Sequence, residues 1–212
     1  MVRMYSDQIT TAANTDNQTV FEKQWNVPVT IRAIKVETSD TEGGDLTLRG
    51  YLGGEIFLYD SDPVSLEYVD WIPVNAGPPT VRGKVKFEVD NSHATNTPDI
   101  KVILLVEVGA SPPNNLPWIH AEYGTGSSAD IFSKEFDKPA ALQWVYLSFS
   151  AGTFVMKVGD TRVNGDDEGH IDEPLTPAQG LAYPVAIPAN VAFKGTTVSA
   201  TGRFIVVIAK SW

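Results

Sequence analysis

The 212-residue chain contains no cysteine, which removes disulfides, thiolate nucleophiles and zinc–thiolate centres from consideration. Positive charge is scarce: 16 Lys and Arg stand against 26 Asp and Glu, a formal net charge of −10. Nucleic acid and anionic lipid both demand clustered basic residues, so neither is an expected partner. The acidity is spread out, 9 − 16 = −7 through Glu107 and 7 − 10 = −3 beyond it, which suits solubility better than a dedicated acidic tail. No apolar run approaches the length of a membrane span. The start, Met1-Val2-Arg3-Met4-Tyr5-Ser6-Asp7, lacks the apolar core of a secretory signal, so synthesis in a cytoplasm without export by that route is expected. Histidine is limited to His93, His120 and His170, which form no HxH or HExxH pair, and no amphipathic helix of three turns is present.

What the chain does contain is a repetition. Phe21, Lys23, Trp25, Asn26, Pro28, Ile31, Ile34 and Val36 are answered by Phe132, Lys134, Phe136, Asp137, Pro139, Leu142, Val145 and Leu147, every pair at an offset of 132 − 21 = 111. Ile72-Pro73-Val74 meets Tyr183-Pro184-Val185 at the same offset, and the apolar run from Val102 to Val108 is echoed from Phe204 to Ile208. The pattern implies two copies of one domain.

Strand signals dominate both copies. Residues 80–89 alternate apolar and polar with period two, as in a strand with one wet face. Residues 100–108 and 204–209 are apolar on both parities and rich in β-branched side chains, as in strands central to a sandwich. In the first copy Val29, Ile31 and Ala33 give way in phase to Ile34 and Val36, and in the second Ala140, Leu142 and Trp144 give way to Val145, Leu147 and Phe149. A bulge or a strand crossing at the same place in each copy would produce this. Turn chemistry, including Gly53-Gly54, Asp60-Ser61-Asp62-Pro63 and Asn75-Ala76-Gly77-Pro78-Pro79, separates the runs. The expected fold is all-β: two tandem antiparallel β-sandwich domains, jelly-roll-like and related by internal duplication, at 1–108 and 118–212, joined by a Pro-rich linker at 109–117. Counting runs allows either an immunoglobulin-like or a jelly-roll strand order; short strands joined by long Pro/Gly/Asn/Asp-rich loops favour the second.

Groups able to carry chemistry are few. No G-x-S-x-G elbow accompanies the histidines, so no catalytic residues are assigned. The densest set of hard oxygen ligands is Asp160, Asn164, Asp166, Asp167, Glu168 and Asp172, a weak calcium candidate that departs from the EF-hand pattern at Arg162 and Ile171. A solvated acidic turn is the simpler reading, and no cofactor is otherwise implied. Among aromatics, the repeated pairs Trp25/Phe136 and Phe21/Phe132 read as core. Trp71, Trp118 and Tyr123, nearer to expected loops, and Trp212 at the terminus are the candidates for interaction with a partner.

The duplicated segments Phe21-Glu22-Lys23-Gln24-Trp25-Asn26-Val27-Pro28 and Ile131-Phe132-Ser133-Lys134-Glu135-Phe136-Asp137-Lys138-Pro139, with the sandwich pattern around them, resemble in build the structural proteins of virus and phage particles: capsid jelly rolls, decoration proteins and spike bases. The resemblance implies a non-catalytic virion protein that binds through broad surfaces to itself, as a homo-oligomer, and to other virion proteins. With about 100 residues per copy, a capsid-associated, decoration or spike-base subunit is expected ahead of a large major capsid protein. The competing expectation is a tandem glycan-binding or receptor-binding module, which needs two exposed aromatic rings in one groove. A carboxylate-dependent glycosidase, the third, needs two carboxylates facing across a cleft.

Overall fold

The computed structural model describes residues 1–41, 43–67, 69–80, 82–112, 116–125, 129–149, 153–162, 173–175, 185–198 and 201–210. The chain divides into two compact units, Met1–Ala121 and Glu122–Trp212, the division falling inside a strand.

The first unit contains β1 (Val2–Thr10), β2 (Thr15–Gln24), β3 (Val29–Thr38), β4 (Leu46–Leu52), β5 (Glu55–Ser61), a one-turn helix α1 (Pro63–Glu67), β6 (Ile72–Ala76), β7 (Lys84–Asn91), β8 (Asp99–Val108) and the opening of β9 (Pro117–Thr125). The pairing is nested: β1 with β8, β2 with β7, β3 with β6 and β4 with β5, all antiparallel. A long hairpin closed at the β4–β5 turn and then rolled up gives this arrangement, and it decides for the jelly roll over the immunoglobulin-like order. The tip is Gly53-Gly54, whose φ values of 62° and 100° give the two left-handed residues a tight hairpin turn requires. One sheet runs β1-β8-β3-β6. In the other, β2, β7, β4 and β5 follow in order, and β9 adds a parallel strand through Leu58↔Ile119 and Tyr59↔His120.

The inner faces meet in an apolar core. Ile31, Ile34, Val36, Ile72, Val102 and Leu104 from the first sheet are buried, and so are Leu48, Leu52, Phe57, Val85, Phe87 and Val89 from the second. Phe87 stands edge-on to both Phe57 and Phe21, with ring centroids 5.6 and 6.3 Å apart. Each such ring contributes about 1.5–3 kcal/mol by burial, and each edge-to-face pair about 0.5–1.5 kcal/mol more. The Phe57 and Phe87 rings close in on Gly50 of β4, where a Cβ would collide with both. Asp62, buried at the start of α1, accepts hydrogen bonds from the backbone N–H groups of Val64 (3.3 Å) and Ser65 (3.0 Å) and so caps the short helix.

The second unit contains β10 (Ala129–Lys134), β11 (Ala140–Phe149), β12 (Thr153–Val158), β13 (Thr161–Arg162), β14 (Glu173–Leu175), β15 (Val185–Ile187), β16 (Phe193–Val198) and β17 (Thr201–Lys210). Here β10 pairs with β16, β11 with β15 and β12 with β13, again nested, while β17 lies against β11 as β8 lies against β3.

Two irregularities recur at the spacing of the sequence repeat. The register of β3 on β8 slips between Ile31 and Ala33, and that of β11 on β17 between Leu142 and Trp144, where 142 − 31 = 111. The register of β2 on β7 slips between Thr19 and Phe21, and that of β10 on β16 between Asp130 and Phe132, where 130 − 19 = 111. The phase change legible in the sequence is therefore a β-bulge. Its extra residue, Arg32, lets Val29 and Ile31 before it and Ile34 and Val36 after it all face the core.

Candidate functional site

Three features of the first unit bear on what the protein can bind. The first is the outer face of the β1-β8-β3-β6 sheet. Along β8, Ile100, Val102, Leu104 and Val106 are fully buried, and the alternate residues Ile103 and Leu105 emerge half-buried on the opposite face. This explains why the run is apolar on both parities. Residues directly opposite each other share a face, so the registers Met4↔Leu105, Leu105↔Ala33 and Ala33↔Pro73 draw one apolar row across all four strands. Ion pairs bound the row on both sides: Arg32 with Glu107 on one, and Lys35–Asp70 (3.1 Å) with Lys101–Glu37 (2.8 Å) on the other. Such exposed pairs add little stability and act mainly as a polar rim. At its β1 end the row opens to solvent, with Met4 66% and Val2 54% exposed.

Behind β1 the opposite face carries Tyr5, edge-on to Trp25 at 5.4 Å, with the Lys23 ammonium 4.9 Å from the Tyr5 ring centroid. The Trp25 indole beside it, and then Arg3 and Lys23, draw the Tyr5 phenol below its ordinary pKa. Trp25 and Phe136, the repeated aromatic position, are both buried, as expected of core residues.

The second feature is a polar cleft of about 360 Å³ that the sequence did not reveal. Ser39, Asp40 and Thr41 of the β3–β4 loop face Thr95, Asn96, Thr97 and Pro98 of the β7–β8 loop across it. Beneath lies buried His93, its Nε2 3.3 Å from an Asp40 carboxylate oxygen and its Nδ1 3.4 Å from one of Asp45. A general base needs one ring nitrogen free for the nucleophile, and here both face carboxylates. The cluster ties loops together instead. The His93 backbone N–H donates to Asn91 Oδ1 (2.9 Å), and Asn91 Nδ2 donates to the Asn96 carbonyl (3.0 Å) and to Thr11 Oγ1 (2.9 Å). Among the described residues no aromatic ring lines the cleft, so these residues offer no stacking platform for a sugar.

The third is a ring cluster at β9. Trp118 stacks on His120 at 5.5 Å and lies 5.8 Å from Tyr59, and the backbone carbonyl of Tyr59 is 3.0 Å from His120 Nδ1. Sequence reasoning set Trp118 near a loop as a surface residue. The structure differs: a strand begins at Pro117, where the missing N–H costs little, and Trp118 is buried at 3% exposure. Trp71 is half-buried just before β6. Tyr123 falls in β9, with its side chain outside the described residues, as are Trp212 and the candidate calcium ligands Asn164, Asp166, Asp167, Glu168 and Asp172. Asp160 is exposed in the turn after β12. Among the described residues no cluster of three or more His, Asp or Glu is arranged to hold a metal ion, and no helix is long and apolar enough to cross a membrane.

No family model and no curated protein matches the sequence. Among solved structures the chain is similar to the major capsid protein P2 of bacteriophage PM2. The likeness covers 100% of this chain and 98% of that one, with a TM-score of 0.51 and 10% identity. At that identity the likeness is one of fold.

Proposed function

We propose that this protein is a non-catalytic structural subunit of a virus or phage particle, assembling through protein–protein contacts with copies of itself and with other virion proteins. The observation that carries the reading is the end-to-end fold likeness to a phage major capsid protein. Length had argued for a decoration or spike-base subunit. A neighbour of closely matching extent that is itself a major capsid protein removes that argument, and a shell-building subunit is the finer reading adopted here. The described first unit supports a structural role in its own right. Buried His93 faces two carboxylates, and the outer sheet face presents an apolar row with a charged rim.

The two units are further proposed to be duplicates of one jelly roll. Two bulges at an offset of 111 support this, because a bulge is a specific local device rather than a generic feature of sheets. The test of function is the solution mass and shape of the purified chain by light scattering and small-angle scattering, followed by electron microscopy of concentrated samples. Rings, sheets or shells are expected. A chain that stays monomeric at high concentration and has no affinity for particle proteins would sink the proposal.

A further inference from the structure

The edges of the first unit are not equally protected against pairing with another strand. β6, at one end of its sheet, is five residues long and carries Pro73; β2, at the edge of the other sheet, is interrupted by two register shifts. β1, the remaining edge of the β1-β8-β3-β6 sheet, runs nine residues without proline or bulge and holds an unbroken register on β8 from Val2↔Glu107 to Thr10↔Asp99. The direction of its free backbone groups follows from its two ends. Val108 N–H donates to the Met1 carbonyl (2.9 Å), and Thr11 N–H donates to the Pro98 carbonyl (2.9 Å). Antiparallel pairing alternates, so the odd residues between them turn their backbone groups toward β8. Val2, Met4, Ser6 and Gln8 turn theirs outward.

That outward edge is complementary to itself. Arg3 and Asp7 lie two residues on either side of Tyr5, both exposed; Arg3 Nε donates to Met1 Sδ (3.1 Å) and Asp7 Oδ1 accepts from the Gln8 N–H (3.0 Å), and neither side chain forms an ion pair among the described residues. We propose that two copies of this chain pair β1 against β1 in antiparallel fashion about a two-fold axis at Tyr5, joining their sheets into one. In this register Met4 lies opposite Ser6 of the second copy and Val2 opposite its Gln8, each exchanging backbone hydrogen bonds through groups that already point outward, the Gln8 N–H giving up its bond to Asp7 Oδ1 (3.0 Å) for the Val2 carbonyl. Arg3 meets Asp7 of the second copy, and Asp7 its Arg3, at the closer non-hydrogen-bonded positions. Shifting the axis by one residue to Met4 or Ser6 keeps the hydrogen bonds but loses both charge pairs. The exposed Met4 and Val2 then continue the apolar row of each outer face up to the joint, and the contact is isologous, as a two-fold requires.

The interface rests on the geometry of the edge and adds a specific contact to the particle reading, which could stand on other surfaces. Its test is a charge exchange on the full chain, read as self-association by sedimentation across concentration. Arg3→Asp and Asp7→Arg each set like charges face to face twice and are expected to weaken association about tenfold or more. The double variant R3D/D7R restores opposite charges and should return to within about threefold of the parent. Ser6→Pro removes an outward N–H while leaving the β8 pairing intact, so it should abolish the contact in a protein whose thermal transition is unchanged. The proposal is overturned if the single variants associate like the parent, if the double variant is no better than the singles, or if Ser6→Pro still pairs. Shells that form undisturbed in all four variants would reject this edge and leave the particle role standing; a parent protein that never associates would reject both.

Discussion

Replacing Gly50 by alanine probes the tightest point of the first core. A Cβ there would sit 2.8 Å from Phe57 Cε1, 2.9 Å from Phe87 Cε1 and 3.0 Å from Leu58 Cβ. Ordinary carbon contacts begin near 3.5 Å, so three neighbours must each give way by roughly half an ångström. Phe57, Leu58 and Phe87 are all at 0% exposure and the two rings stand edge-to-face, so each must move against packed neighbours. Overpacking of this kind costs about 1–3 kcal/mol, and three simultaneous contacts place Gly50→Ala near the top of that range. The unfolded chain loses some freedom with alanine, which returns about 0.4–1 kcal/mol, leaving a net loss near 2 kcal/mol. For a chain of this size unfolding in one transition, the midpoint should fall by about 4–8 °C in calorimetry or circular dichroism. Gly50→Ala combined with Phe57→Leu, which withdraws one ring, should recover part of the loss relative to Phe57→Leu alone. A midpoint that stays put or rises in Gly50→Ala, or an absence of coupling in the double variant, would refute the packing argument.

Asp62→Ala should cost about 0.5–2 kcal/mol in urea unfolding, because it strips the cap from α1 and leaves two backbone N–H groups unsatisfied in a buried place. Asp62→Asn, which keeps an acceptor, should recover most of it. The Lys101 ammonium, hydrogen-bonded to Glu37, holds that carboxyl below its ordinary value of 4.5 against the opposing effect of burial. A depressed folded pKa contributes stability above the unfolded value and loses it as pH falls through the folded one. Urea midpoints measured from pH 7 downward should therefore decline more shallowly below about pH 4.5 in Glu37→Gln than in the parent, an identical slope being the contrary result.

The parts of this architecture that could be read from sequence are those written locally. The Gly53-Gly54 tip, the apolar parity of β8 and the bulge after Ile31 each depend on a few adjacent side chains, and each appeared where residue order placed it. The nested strand order did not, because β1 and β8 contain nothing in their own residues that names the other. The polar cleft escaped for the same reason: His93 meets Asp40 across 53 residues, joining two loops that look like ordinary solvated turns. Trp118 was misplaced because the prolines before it suggested a longer irregular segment, whereas Pro117 already occupies the first position of β9. The Arg3–Tyr5–Asp7 symmetry was present in the sequence throughout and acquires meaning only once β1 is known to be an edge.

The nested pairing also sets a clock. Thr10 closes against Asp99, 89 residues later, so β1 has no partner strand in its own chain until most of the first unit has left the ribosome. At about 5–20 residues per second that wait lasts about 4–18 s, long compared with the microseconds in which a hairpin such as β4–β5 can form. During this interval the strand with Val2 and Met4 is bare on both edges. A chain that waits this long is open to strand exchange with a neighbouring copy, and the arrival of β8 is the step that closes the first unit to it.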